Sequence, residues 1–271
     1  MLTMKTKFLA ILNLLAFSFH LILSYLIQMN YFSVMDVGQV SARYDTVFAP
    51  AGITFAIWGV IYLALFTFCF FHLYAAFTKS AIQPANLNTR NIGWYLIVNN
   101  LATGLWLVAW VNEYLFASVI LILIQLVTLI IISIKADISN PDQPVSTKFF
   151  THFPLSIYFA WICIATIANI SAYLKSINWS GAGISESYWV IIMIGTATLI
   201  SCYIIVVRRN IPFGLVVLWA LYGIVLKRQQ VNPIDFQIVI TAAYAAFVLI
   251  VLALIIRIAS GYSNHKKLTR H

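Results

Sequence analysis

The sequence predicts an all-α membrane protein that crosses the bilayer about eight times, and three observations lead to this fold class. Apolar residues make up 62% of the 271 residues and charged residues only 8%. The mean hydropathy of +0.94 is far above that of a water-soluble domain, which needs more charge to cover its surface. Long apolar windows recur along the chain, and none alternates polar and apolar residues with a period of two, which argues against a membrane barrel.

Each apolar window is matched to the bilayer, since a helix that crosses about 30 Å of hydrocarbon needs about 20 mostly apolar residues. Such windows lie near 8–27, 52–77, 92–111, 114–134, 150–174, 188–207, 211–226 and 234–256. The seventh is short and contains Pro212, Gly214 and Gly223, so it is the weakest of the series. The first follows a basic start but is too long for a signal peptide and lacks a cleavage pattern, so we expect it to remain as a helix.

Charge placement predicts the orientation. With eight crossings both termini share one side, and of the 16 Lys and Arg only Arg43, Lys175, Lys227 and Arg228 lie on the other. The positive-inside rule therefore predicts a multi-pass protein of the plasma (inner) membrane with both termini in the cytoplasm. The Lys227–Arg228 pair runs against this trend and leaves a seven-helix topology open.

The expected partners follow from the same charges. A net charge of +9 indicates contact with the anionic headgroups of the lipid bilayer. Nucleic-acid binding is not predicted, because no basic cluster extends onto a soluble face. The single cysteines Cys69, Cys163 and Cys202 lie in different windows at spacings that fit no metal motif, so no metal site is predicted.

The connection at 28–50 is the longest between windows, and its mixture of polar and apolar residues is unlike a disordered linker. A long ordered loop between two membrane helices often acts as a lid. We predict that it covers a site, with Arg43, Tyr44, Phe48 and Pro50 as its lid residues.

Three windows place aromatic and polar residues on one helical face. The faces are Phe55, Trp58, Tyr62 and Leu65 in the second window, Asn99, Thr103, Trp106 and Trp110 in the third, and Trp161, Ala165 and Asn169 in the fifth. An amide in lipid costs free energy unless it is paired, so Asn99 and Asn169 should face the bundle interior. Such walls suit a ring-shaped, mostly apolar ligand, although spacing alone leaves plain packing equally open.

The remaining chemistry-bearing residues indicate no reaction. Trp94, Trp110, Trp179 and Trp189 lie near helix ends and are expected to form interfacial belts. The chain has no P-loop, H-E-x-x-H or G-x-S-x-G motif, and its acidic residues lie in loops or at helix edges, so no catalytic residue is predicted. A bis-His haem is disfavoured because His20 and His72 are expected at unequal depths.

Three motifs occur in order in the second, third and fifth windows. They comprise Pro50, Ile57, Trp58, Ile61 and Tyr62, then Thr103 and Trp106, then Trp161, Ile164, Ala165, Thr166 and Asn169. Together they resemble the tryptophan-rich sensory protein family, also called translocator protein or TspO/MBR. In its members, prolines precede the second helix, which contains the motif V-W-x-x-L-Y. The third helix contains Asn-x-x-Trp, and the fifth contains W-x-x-F-A-S/T-x-x-N.

The resemblance implies a five-helix bundle whose external end holds a pocket for porphyrins beneath the loop after the first helix. The predicted ligand-binding residues are Trp58, Tyr62, Asn99, Thr103, Trp106, Trp161, Ala165 and Asn169. Windows six to eight have no counterpart in five-helix members. We therefore predict a TspO-like bundle at 1–175, a three-helix extension at 176–260 and a basic cytoplasmic tail at 261–271.

The leading hypothesis is a protein that binds, senses or transports a tetrapyrrole or a similar apolar aromatic ligand. No cofactor is required, while porphyrin or haem would be a ligand. The alternatives are a membrane enzyme that degrades porphyrin or uses haem for redox chemistry, and a structural subunit in which every Trp serves packing. Homo-oligomerisation is left open.

Overall fold

Helices form the framework of the computed structural model, which describes residues 2–33 and 35–268. The helices are α1 Leu2–Gln28, α2 Val37–Arg43, α3 Ile57–Thr78, α4 Pro84–Ile92, α5 Tyr95–Val111, α6 Leu115–Lys135, α7 Val145–Thr147, α8 Phe153–Ser176, α9 Glu186–Val206, α10 Ile211–Val231 and α11 Gln237–Leu268. A 3-10 turn at Gly52–Ala56 precedes α3, another lies at Gly181–Gly183, and a π-helical turn at Lys148–His152 precedes α8. No strand occurs in these residues, and the predicted all-α membrane fold is confirmed.

Seven helical segments among the described residues are each long and apolar enough to cross a bilayer, and they correspond to all predicted windows except the third. There the pair α4 and α5 is bent by 59°, and it makes an eighth crossing if it is counted as one span. Gly93 lies between the two helices with φ of +55°, a backbone conformation that favours glycine because residues with a side chain rarely adopt it.

The seventh window, the weakest by sequence, is a continuous helix. Pro212 lies in the first turn of α10, where the lack of an N–H removes no intrahelical bond. Arg228 near the other end of α10 is fully buried, with its guanidinium carbon 4.8 Å from the centroid of the Phe236 ring. Of the exceptional Lys227–Arg228 pair, Arg228 is therefore packed within the protein, whereas Lys227 is partly exposed.

The chain divides into two compact units. The first comprises Met1–Thr46 and Phe55–Trp179, and the second comprises Val47–Thr54 and the chain from Ser180 onward. The predicted boundary at 175/176 lies close to this division, but residues 47–54, expected in the first domain, pack with the C-terminal helices. Of the predicted tail at 261–271, residues up to 268 continue α11, while 269–271 lie outside the described residues.

Within the first unit, α5 packs against α1 and α6, and α8 packs against α6 and α3. Helices α1, α5 and α8 finish at the same end of the unit, and the connection that follows α1 lies there too. This end is called the loop end below. In the second unit α11 packs against α9 and α10. Gly214 of α10 permits close packing against α9, because a Cβ there would lie 2.6 Å from a side-chain carbon of Ile205 in α9.

Candidate functional site

Five rings lie around Trp58, which is in the first turn of α3, and the six rings, from four helices, form what we call the aromatic cluster. The distances from the Trp58 ring centroid are 5.4 Å to Tyr62, 6.2 Å to Tyr158, 6.3 Å to His20, 6.4 Å to Trp161 and 6.5 Å to Trp106. Trp106 and Trp161 are buried, whereas Trp58 and Tyr62 are partly exposed. The structure therefore brings together the aromatic residues that the sequence placed on three separate helical faces.

A hydrogen-bonded chain fixes the Trp106 side of the cluster. The indole N–H of Trp106 donates to Oδ1 of Asn169 at 2.7 Å, and Nδ2 of Asn169 donates to Oγ of Ser118 at 2.8 Å. Ser118 in turn donates to the carbonyl of Leu115 at the start of α6. The predicted inward orientation of Asn169 is confirmed, and its amide links α5, α6 and α8.

Thr103 reaches the cluster through Tyr158. Its hydroxyl donates to the carbonyl of Asn99 at 2.8 Å, so it accepts from the Tyr158 hydroxyl, whose oxygen lies 2.6 Å away. Ala165, one turn from both Trp161 and Asn169 on α8, is partly buried.

Asn99 serves a different contact. Its side chain is buried, as predicted, but it donates to the carbonyl of Gln125 at 3.0 Å and to Oγ1 of Thr128 at 2.8 Å, both on α6. These bonds tie α5 to α6 and direct the Asn99 amide away from the aromatic cluster.

Two buried polar atoms in the cluster have no hydrogen-bond partner within the described residues. They are Nε1 of Trp161 and Nε2 of His20, on side chains that are 2% and 0% exposed. A buried polar group without a partner costs about 1–3 kcal/mol, so such atoms are rare and call for a physical explanation.

The tautomer of His20 follows from its neighbour. Nδ2 of Asn100 donates to the carbonyl of Leu96, which leaves Oδ1 of Asn100 to face Nδ1 of His20 at 3.2 Å. Because an amide oxygen only accepts, Nδ1 carries the proton. Nε2 of His20 is therefore a bare lone pair, able to accept a hydrogen bond or to bind a metal centre.

His72 is engaged on both sides of its ring and differs from His20 in this respect. Thr89 donates its proton to the carbonyl of Ala85, so it accepts from Nδ1 of His72 at 2.8 Å. Nε2 then accepts from the hydroxyl of Thr151 at 2.9 Å. His72 therefore links α3, α4 and the turn before α8 and has no nitrogen left for a ligand.

The predicted lid residues fall into two groups. Arg43 Nη1 lies 2.7 Å from Oε1 of Glu113, and the Tyr44 hydroxyl donates to the other carboxylate oxygen at 2.6 Å. Lys175 of α8 donates to the carbonyl of Asp45. These contacts hold α2 and the residues that follow it at the loop end of the first unit. The hydrogen bond to Glu113 is the main reason why the pKa of Tyr44 is raised above its usual value, and burial is the second reason.

Phe48 and Pro50, the other predicted lid residues, belong to the second unit, and both are buried. The continuous lid expected over 28–50 is therefore divided after Thr46.

Trp110 is not the exposed interfacial belt residue that was expected. Its side chain is 4% exposed, stacks on Trp106 with 5.7 Å between the ring centroids, and donates its N–H to the carbonyl of Val37. It is buried because α2 packs against α5 at this point. Trp94 and Trp179 are exposed, as expected of belt residues.

Sequence analysis missed two members of the cluster. Tyr158 lies three residues before Trp161 on α8, a helical spacing that would have placed it on the same face. His20 was considered only as half of a haem pair, and nothing in the pattern of α1 indicates that it faces Trp58. Among the described residues no group of three or more His, Cys, Asp or Glu side chains is arranged to hold a metal ion.

A separate groove of about 280 Å³ lies in the second unit, between α10 and α11. Its lining residues are Tyr222, Val225, Leu226, Gln229, Tyr244 and Phe247. Nε2 of Gln229 donates to the hydroxyl of Tyr244 at 3.3 Å and forms the polar part of an otherwise apolar wall.

Comparison with known proteins gives one family. The model of the TSPO-like protein family matches residues 10–256, which extends beyond the motifs of the first five windows through α9 and α10 and into α11. No curated protein and no solved structure matches the chain. Since the match covers most of the sequence, the chain is a multi-pass integral membrane protein that belongs to the TSPO-like family.

Proposed function

We propose that this protein binds a tetrapyrrole, or a planar apolar ligand of similar size, at the aromatic cluster, and that sensing or transport uses this site. Membership of the TSPO-like family supports the proposal, as does the convergence of indole and phenol rings from four helices on Trp58. Aromatic faces suit a flat conjugated ligand because offset-stacked and edge-to-face contacts stabilise it beyond simple burial.

The observation that carries the proposal is the pair of unpartnered atoms beside Trp58. Nε1 of Trp161 offers a hydrogen-bond donor and Nε2 of His20 an acceptor, both inside an apolar wall. Ligand sites typically combine an apolar lining with a few polar groups that fix orientation. A porphyrin carries both kinds of group, since its central N–H groups donate and its carboxylates accept.

A titration of purified protein with protoporphyrin, followed by the fluorescence of the porphyrin, tests this proposal. We expect saturable binding that Trp58→Ala and Trp161→Phe each weaken, roughly tenfold for the loss of a stacked ring or a buried hydrogen bond. Trp94→Phe is the matched control, because Trp94 is 52% exposed and outside the cluster. Absence of saturable binding, or equal affinity in all variants, contradicts the proposal.

A second candidate function is haem binding with His20 as a single axial ligand. The bare Nε2 of His20, whose Nδ1–H is held by Asn100, has the arrangement of a metal-binding histidine oriented by a second hydrogen bond. With added haemin we expect a shifted Soret band that is lost in His20→Ala and kept in His72→Gln. A band that survives in His20→Ala rules out this ligation.

We also propose that both termini lie in the cytoplasm and that the loop end faces the opposite side of the plasma (inner) membrane. The distribution of Lys and Arg supports this orientation. Fusion of a cytoplasm-specific reporter to the C-terminus tests it, and an inactive reporter in an otherwise stable fusion contradicts it.

A further inference from the structure

Residues 47–54, which lead into α3, are held by the C-terminal helices through three hydrogen bonds. The backbone N–H of Ala51 donates to the carbonyl of Gly223 at 2.9 Å. The indole N–H of Trp219 donates to the carbonyl of Thr54 at 3.0 Å, and Oε1 of Glu186 accepts from the N–H of Val47 at 2.7 Å. Both α9 and α10 thus satisfy backbone groups of a segment that is not itself a regular α-helix.

The segment is buried along most of its length, including Val47, Phe48, Ala49, Ala51 and Thr54. At membrane depth a non-helical backbone is tolerated only where protein surrounds it and pairs its polar groups. Helices α9 and α10 provide the hydrogen-bond partners of 47–54, so the folded form of this segment depends on these two helices.

Gly223 makes the close approach possible. A Cβ atom at this position would lie 2.1 Å from Cγ2 of Thr54 and 3.0 Å from Cβ of Pro50. Any larger residue must push the segment away from α10, and the donor–acceptor distance between Ala51 and Gly223 would lengthen with it.

We propose that α10 is a clamp that holds residues 47–54 in their packed form. Gly223 and Trp219 are its positioning residues, because Gly223 permits the close approach and accepts from Ala51, and Trp219 donates to Thr54. The clamp lies within the second unit and does not depend on the function proposed above.

The variant Gly223→Ala tests the clamp, with Gly195→Ala as the matched control. Gly195 lies in α9 of the same unit, and a Cβ at that position would have nothing within 4 Å, so both changes share the gain in helix propensity and only Gly223→Ala adds a close contact. Movement of the segment is measured by adding Ala49→Cys, since Ala49 is 3% exposed and a cysteine there reacts only when the segment opens. The probe is a water-soluble maleimide, with the chain lacking this cysteine as background.

We expect Gly223→Ala to speed labelling at position 49 roughly tenfold, as a packed segment opens more often. Gly195→Ala should have no effect. Adding Thr54→Ser removes the clashing methyl group and should restore most of the native rate. If Gly223→Ala does not fold, Trp219→Phe removes only the N–H and should raise the rate to a smaller extent.

Faster labelling in Gly223→Ala, with the native rate kept in Gly195→Ala, supports the clamp. An unchanged labelling rate in both Gly223→Ala and Trp219→Phe overturns it.

Discussion

Trp106 and Asn169 are joined by a 2.7 Å hydrogen bond between two helices of the first unit, α5 and α8. The bond fixes the indole of Trp106 at 6.5 Å from that of Trp58 and passes through the Asn169 amide to Ser118. One buried amide thus sets the position of a ring in the aromatic cluster and the spacing of three helices.

This pair gives the first prediction. Asn169→Leu should lower the free energy of unfolding by about 1–3 kcal/mol, because the buried N–H of Trp106 loses its acceptor. Trp106→Phe should cost less in the presence of Asn169→Leu than alone, since the two residues share one bond. A double-mutant cycle by denaturant unfolding in detergent measures the coupling, and strictly additive effects would show that the bond contributes nothing.

The Thr103–Tyr158 pair predicts an asymmetry. Tyr158 is the donor, and Thr103 keeps its bond to the Asn99 carbonyl when that donor is lost. Tyr158→Phe should therefore destabilise by about 1 kcal/mol, whereas Thr103→Val leaves a buried hydroxyl unpaired and should cost about 1–3 kcal/mol. The same unfolding assay compares them, and a larger loss in Tyr158→Phe would reverse the donor assignment.

Asn99 was predicted as a ligand-binding residue, but its contacts are to α6. We expect Asn99→Leu to lower stability by about 1 kcal/mol through the lost hydrogen bonds, with protoporphyrin affinity unchanged. Trp58→Ala serves as the comparison that should lose affinity. A weakened affinity in folded Asn99→Leu would return this residue to the site.

The attachment of α2 to Glu113 through Tyr44 should weaken only at high pH. The pKa of Tyr44 is raised in the folded protein because its hydroxyl donates to Glu113. A raised pKa means that the stabilisation is complete below the usual tyrosine value of about 10 and is lost as the pH rises through the folded value. Hydrogen-exchange protection of Val37–Arg43, corrected for the intrinsic rate, should stay level up to about pH 10 and fall above it.

Tyr44→Phe is the control for this pH effect. It should lower the protection at neutral pH and remove its alkaline fall. Glu113→Gln should cost less than about 1 kcal/mol of overall stability, because the Arg43 side chain is 59% exposed and surface ion pairs contribute little. A fall in protection near neutral pH would contradict the role given to Tyr44.

The sequence predicted most of the fold because the bilayer imposes a simple requirement on it. Each crossing needs a long apolar run, so the eight windows were visible without any tertiary information. The aromatic faces of α3, α5 and α8 were visible too, since residues three or four apart share one side of a helix. The helical spacing correctly predicted that Asn169 faces inward. The expectation that Trp110 is an interfacial residue was wrong, because α2, in the connection after α1, packs over it.

By itself the sequence determined an all-α membrane protein of the TSPO-like family, with Trp58, Trp106 and Trp161 each on an aromatic face of its helix. Only the tertiary structure decided that His20 joins them with a bare Nε2, that Asn99 bonds to α6 rather than to the cluster, and that 47–54 packs on Gly223. The physical reason is that helical periodicity and hydropathy are local properties of the chain. Hydrogen-bond partners and close backbone contacts join residues far apart in sequence, and they are fixed only when the helices pack.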